Sequence, residues 1–450
     1  MKEFNFEKLP IVEIANEIIM DAVNKGASDI HFDPSQDSLK IRFRIDGILS
    51  DYSIIPSKYK RNMISRIKMI AGMNIMETRL PQDGAIKSKI GERFLDLRVS
   101  SLPTNNAEKI VIRILDYSMS LAGLDNLGFS EDAMEKINRL IKIPNGIILV
   151  TGATGTGKST TLYSILQKLN TEEVNIITVE DPVEMDIEGI NQVQTQSEIG
   201  LTFATILRSI LRQDPNIIMI GEIRDDETAR IAVRASITGH LVLSSLHTNN
   251  SLNTIERLTD MDVERYLLGS SLEGIISQRL ARKVCPECSI KRPTTDYERQ
   301  VFKTVLGKDV LEMVVANKEG CPKCTHGYKG RLAILEVLVM NEKIKDAITN
   351  GANKNTLREL VYTGDVVTLL QDGLNKVVLG ETTFEEILKI VDLENDMTQY
   401  NDDNLKTNLI MAQQAHKADN KTNDKPITSN ISSEFKIEKT NNENIETVEF

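Results

Sequence analysis

One short stretch restricts this chain more than any other. Gly152-Ala153-Thr154-Gly155-Thr156-Gly157-Lys158-Ser159 fits G-x-x-x-x-G-K-[ST], with the apolar run Ile147–Val150 before it and the helical run Thr160–Leu169 after it. The glycines let successive backbone N–H groups turn inward around an anion, and the helix that follows aims its positive dipole end at the same point. Lys158 supplies a charge for β/γ-phosphates, and the Ser159 hydroxyl can ligate Mg²⁺. The segment from Gly152 to Thr160 is therefore read as a nucleoside-triphosphate cradle set between a strand and a helix. A glycine-rich turn without nucleotide is the plainer alternative, and the flanking strand and helix argue against it.

The surrounding pattern is that of parallel α/β. Ile147–Val150, Ile176–Val179, Ile217–Ile220 and Leu241–Leu243 are short, continuously apolar runs, as expected for strands buried on both faces. Between them, Phe203, Ile206, Leu207, Ile210 and Leu211 share one helical face, and that helix stops before Pro215. The first 117 residues differ. Ile11, Ile14, Ala15, Ile18, Ile19 and Ala22 form an amphipathic helix, Ile41, Phe43 and Ile45 alternate with Arg42, Arg44 and Asp46, and Leu95–Val99 and Ile110–Leu115 alternate likewise. At 450 residues the chain exceeds the size of a single core. The expected division is an α+β domain over 1–117, a linker over 118–130, an α/β domain over 131–395 and a disordered polar tail over 396–450, where large apolar residues are too few to offset ordering entropy.

Acidic residues stand where strands of such a sheet end. Asn216–Ile220 runs into Gly221-Glu222, and Thr178-Val179 runs into Glu180, Asp181, Pro182, Val183 and Glu184. Carboxyl ends of parallel strands converge on a ligand crevice, so one of these carboxylates can face Mg²⁺ and another can orient an attacking water. Helix capping or structural ion pairing is the plain alternative for each acid. His240 and His247 bracket the Leu241–Leu243 strand and are included as candidates, although a lone histidine is more often structural.

All four cysteines fall in two pairs, Cys285/Cys288 and Cys321/Cys324. Without a thioredoxin-like context, two Cys-x-x-Cys knuckles point to a closed, structural Zn²⁺ site within 284–331 rather than to redox chemistry. The net charge of -11 and the absence of Trp count against a duplex- or single-strand-coating protein, so no direct nucleic-acid contact is expected. No apolar run approaches the ~20 residues of a membrane span, and acids interrupt the N-terminus. A cytoplasmic protein, peripheral to a membrane through partners, is expected.

These segments together resemble the secretion-ATPase superfamily, in particular the GspE/PilB branch that powers type II secretion, type IV pilus assembly and competence pseudopili. The resemblance runs from about residue 10 to 393 and rests on the Gly152–Ser159 loop, Ile177–Glu184, Asp214–Asp225 and His240–Thr248. It implies an α/β fold with a RecA-like P-loop ATPase domain preceded by a small PAS-like α+β domain, with the zinc-binding element inserted, assembled as a homohexamer that works on an inner-membrane platform protein from the cytoplasmic face. It implies γ-phosphate contacts from Arg98 and Arg113, favours Glu184 as water activator and places Glu222 on the magnesium side. The tetracysteine element resembles the assembly and secretion branch, so the implied work is subunit addition. Longer members carry a further domain before the segment that starts here near residue 10. From the residues alone two other readings stand: a nucleic-acid translocase on the same core, which DNA-stimulated turnover would reveal, and a nucleotide-binding scaffold that does not hydrolyse, which a turnover assay would reveal.

Overall fold

The computed structural model describes residues 1–90, 93–116 and 123–391. The expected polar tail at 396–450 and residues 118–122 of the expected linker lie outside the described residues. The N-terminal part runs α1 (Ile11–Asn24), β1 (Ala27–Pro34), β2 (Ser38–Ile45), β3 (Ile48–Pro56), α2 (Ser57–Ile70), β4 (Gln82–Ile90), β5 (Arg93–Thr104) and β6 (Ala107–Asp116). Its strands form one antiparallel sheet in the order β3-β2-β1-β6-β5-β4. Period-two alternation sends Ile30, Phe32, Ile41, Phe43, Leu97, Val99, Ile110 and Ile112 to one face, where they meet Ile14, Ile18, Met63 and Ile67 of the two helices. Each such side chain contributes about 1.5–3 kcal/mol when fully buried. β2 turns into β3 at Asp46 and Gly47, with φ of 49° and 86°, the positive pair that a two-residue hairpin turn requires.

The opposite face is charged. Arg44, Asp29, Arg113 and Arg98 stand directly opposite one another across β2, β1, β6 and β5. Deeper in this lobe, Lys68 (1% exposed) donates to Glu108 Oε1 at 2.6 Å and to the Glu77 carbonyl at 2.6 Å. Replacing Glu108 by alanine strands a buried ammonium, and a loss of about 3–5 kcal/mol of stability is expected in denaturant unfolding. A loss below about 1 kcal/mol would show that the pair is dispensable.

In the second part, α3 (Glu131–Leu140) leads to β7 (Gly146–Thr151), α4 (Lys158–Leu169), β8 (Ile176–Glu180), β9 (Asn191–Gln194), α5 (Phe203–Ile210), β10 (Ile217–Ile220), α6 (Asp226–Ile237), β11 (Leu241–Leu246), α7 (Ser251–Asp260), α8 (Arg265–Ser271) and β12 (Leu272–Val284). β13 (Ile290–Pro293), α9 (Asp296–Leu306), β14 (Glu312–Val315), β15 (Tyr328–Val339), α10 (Glu342–Thr349), α11 (Lys354–Tyr362), α12 (Leu369–Val378) and α13 (Phe384–Ile390) follow. The seven-stranded sheet has the order β15-β12-β7-β11-β10-β8-β9, parallel except for β15. β7, β8, β10 and β11 match the four apolar runs and are buried along their whole length. Helices cover both faces, giving two cores that share the sheet.

Two strands depart from the sequence expectation. The cysteine-bearing stretch 284–331 was expected as a zinc-binding element inserted in the domain over 131–395, with no strand assigned to it, and both its flanks are strands of the main sheet. β12 runs directly into Cys285, and β15 begins at Tyr328, just past Cys324. Only the interior, β13 paired with β14 around α9, stands aside. The described remainder of the expected linker also packs on this lobe: Leu124 is buried in the core that includes Leu162 and Tyr163 of α4.

Candidate functional site

Because β7, β8, β10 and β11 are parallel, their carboxyl ends lie along one edge of the sheet. The glycine-lysine loop leaves β7 at that edge, and Gly152, Gly155 and Gly157 take φ of 152°, 79° and 88°. Gly155 and Gly157 lie in the left-handed range that a residue with a Cβ adopts only under strain. Gly152 is excluded from substitution by space as well, since a Cβ there would lie 2.6 Å from the Gln278 carbonyl oxygen. Thr156 Oγ1 donates to the Ala153 carbonyl at 2.9 Å and closes the turn. Ala153, Thr154, Gly155 and Ser159 are exposed at its mouth, and Thr160 is half-buried.

Lys158 is buried, and its Nζ donates to the carbonyls of Gly152 at 2.9 Å and Ala153 at 3.1 Å. Burial pushes its pKa below the usual lysine value, opposed by the negative charge of Glu222. Glu222, two residues past the end of β10, accepts from Arg224 Nη2 at 2.6 Å, and its other oxygen lies 3.6 Å from His247 Nε2. The Arg224 guanidinium holds its carboxyl below the ordinary carboxylate range. Arg224 also reaches Asp181 at 3.3 Å. Burial and the Lys158 charge lower His247 in turn.

Glu184 is fixed from two sides. Its backbone N–H donates to Tyr163 Oη at 3.0 Å, and its Oε2 accepts from Arg98 Nη2 at 3.0 Å. A strand of the N-terminal sheet thus touches the acidic segment of the second lobe. Arg113, opposite Arg98 in register, is 64% exposed and pairs with Asp29 at 3.1 Å. A cleft of about 940 Å³ opens between the lobes beside the loop, bordered by Phe129, Gly157, Thr160, Leu280 and Arg331.

Two expected site residues fall elsewhere. Glu180 is 3% exposed, and its carboxylate accepts from Tyr163, Thr178 and Gln192. It shares the inward face of β8 with Thr178, so it is a structural hub and not a group that meets solvent or substrate. His240 precedes β11, whereas the loop lies at the strand's far end, about 20 Å off for a six-residue strand. Its Nδ1 is engaged by the Ala235 carbonyl at 2.8 Å. Of the two histidines, only His247 joins the site. Sequence reasoning passed over Arg224 and Tyr163; both sit among the motifs but carry no periodic signal of their own.

The four cysteine sulfurs converge to within 4.8 Å of one another. Cys285 and Cys321 sulfurs lie 3.8 Å apart, and those of Cys288 and Cys324 3.6 Å apart. Tetrahedral Zn–S bonds of ~2.3 Å place sulfurs ~3.8 Å apart, so the donor set and its spacing fit zinc.

A mostly parallel sheet with a glycine-lysine loop at its carboxyl edge and strand-end acids beside the lysine defines a P-loop nucleoside triphosphatase, and this chain is an ATP-hydrolysing enzyme. It belongs to the type II/IV secretion system protein family, whose model matches residues 5–389. It is 45% identical over 382 residues to a putative type II secretion system protein E of Escherichia coli, covering 85% of this chain and 77% of that one. It is 45% identical over 381 residues to a type IV pilus assembly ATPase PilB of Myxococcus xanthus, covering 84% and 67%. Among solved structures, the pilus retraction motor PilT with bound ADP matches with a TM-score of 0.53 and 25% identity, over 88% of this chain and 98% of that chain. The ATPase DotB of Legionella pneumophila shares the fold with a TM-score of 0.61 at 21% identity, over 83% and 94%. Among the described residues no helix is long and apolar enough to cross a membrane.

Proposed function

We propose that this secretion-type ATPase is the motor that assembles a type IV pilus, a competence pseudopilus or a type II secretion pseudopilus. It works as a homohexamer on the cytoplasmic face of the inner membrane and drives a membrane platform protein there. Two observations carry the reading: the negative charge of Glu222 acts on Lys158 of the glycine loop, and Arg98 of the N-terminal sheet donates to Glu184, which follows the end of β8. The N-terminal domain over 1–117 is then placed to follow the chemistry of the domain over 131–395.

In this reading the N–H groups from Gly152 to Thr160 and the Lys158 ammonium bind the ATP phosphates. Ser159 and Glu222 hold Mg²⁺, which when bound neutralises phosphate charge. His247 and Arg224 orient Glu222, and Arg224 ties Asp181 to it. Glu184 orients the attacking water. Arg98 and Arg113 reach a γ-phosphate, their own or a neighbouring subunit's, and an arginine so placed is worth ~10³–10⁵ in rate in the best-studied phosphoryl-transfer enzymes.

The test is phosphate release with MgATP from size-resolved fractions of the purified chain. Turnover is expected in the hexamer and only weakly in the monomer. A hexamer that releases no phosphate, or one that duplex DNA stimulates severalfold, overturns the motor reading.

Zinc is assigned to Cys285, Cys288, Cys321 and Cys324, where it would cross-link the ends of β12 and β15. Cys285→Ser is expected to lose bound zinc by atomic absorption and to lower the melting temperature by about 5 °C or more, because a structural metal's binding energy is folding energy. Unchanged zinc content would remove the assignment.

A further inference from the structure

β12 runs beside β7 with Ser277 opposite Thr151, the last residue of that strand, so the next residue, Gln278, lies against the glycine loop. Nothing in the hydrolytic reading uses it. Gln278 is 3% exposed. Its Oε1 accepts a 2.7 Å hydrogen bond from Thr161 Oγ1, a hydroxyl buried in the first turn of α4. Its backbone oxygen and its Nε2 bound the space at two of the loop's three glycines: a Cβ on Gly152 would come 2.6 Å from the former, and one on Gly157 2.8 Å from the latter. Beside it, Ser277 Oγ lies 3.0 Å from Thr151 Oγ1.

We propose that Gln278 is a positioning residue for the phosphate loop, its carboxamide setting the turn at Gly157 and the first turn of α4 in the shape that receives the phosphates. The inference rests on the loop being the nucleotide cradle. A loop that keeps its bound shape beforehand binds more tightly, because less ordering is left to be done on binding. Gln278 supplies that order from a neighbouring strand, where no glycine-lysine pattern reveals it. The bland alternative is a buried amide that only satisfies Thr161. In that case its loss would lower folding stability and leave nucleotide affinity alone.

The experiment is a titration of the full chain with the fluorescent nucleotide N-methylanthraniloyl-ADP in the presence of Mg²⁺. Gln278→Met keeps the side-chain volume and removes the amide. Thr161→Val keeps the shape and removes the hydroxyl. Each is expected to raise Kd about tenfold, the order of one buried hydrogen bond and the partner it strands. The double variant is expected to show about the same tenfold rise and not the product, because both changes break one contact. Thr161→Ser restores the hydroxyl and brings Kd back to within about twofold of the parent. Parental affinity for Gln278→Met, or effects that multiply in the double variant, overturns the proposal. If Gln278→Met does not fold, the Thr161→Val and Thr161→Ser pair decides alone: equal affinities overturn it. Lys158→Ala is run alongside. If it too binds like the parent, the cradle itself is misplaced; if it loses nucleotide while Gln278→Met does not, only the brace is wrong.

Discussion

Lys158→Ala lowers ATP turnover by about 10²–10³-fold at saturating MgATP, the loss seen when one preorganised donor to developing charge is removed. The side chain donates to the Gly152 and Ala153 carbonyls, and the negative charge of Glu222 favours its ammonium form. Those two carbonyls are neutral acceptors, so phosphate oxygens compete for the ammonium on better terms, since bonds between charged partners are about twice as strong. Alanine leaves the loop glycines and α4 intact, so the variant is expected to keep its circular dichroism spectrum. Phosphate release within tenfold of the parent would mean that the phosphates lie elsewhere.

Glu184→Gln is the second large effect. The amide still accepts from Arg98, so the contact between the lobes persists, while the charge proposed to orient and polarise a water is lost. A positioned base contributes about 10²–10⁴-fold. kcat is therefore expected to fall by at least about 10²-fold, with KM changed only severalfold. Glu222→Gln has a different signature: the Mg²⁺ requirement moves to higher concentration. Steady-state kinetics across a Mg²⁺ series separates the two. If Glu184→Gln shifts the Mg²⁺ requirement and Glu222→Gln spares it, the two acids exchange roles.

Where a single segment carries both its own hydrophobic period and its own turn chemistry, the chain was readable. The β7 run, the glycine loop and α4 are contiguous, and β2 carries its own alternation of Ile41, Phe43 and Ile45 with Arg42, Arg44 and Asp46. β12 and β15 were not. β12 reads Leu-Glu-Gly-Ile-Ile-Ser-Gln-Arg-Leu-Ala-Arg-Lys-Val, with Ser277 and Gln278 buried because they serve neighbours distant in sequence. β9 reads Asn-Gln-Val-Gln, with three polar residues of four, and becomes a strand only through β8. His240 could have been set aside from sequence: a residue before a parallel strand lies at its amino edge, away from a loop that follows the carboxyl edge of the next strand. The joining of Arg98 to Glu184 spans two lobes and leaves no local trace.

That joining has a consequence for how the molecule idles. Both side chains are about one-third exposed (33% and 30%), so the bond between them is worth only about 0–1 kcal/mol. An arginine held by so weak a catch is parked rather than locked, and thermal motion alone is enough to free it. Breaking this one contact therefore costs little, and the seat of the N-terminal sheet on the second lobe depends also on others, such as the Gly330 N–H donated to Asp46 Oδ2 at 3.0 Å.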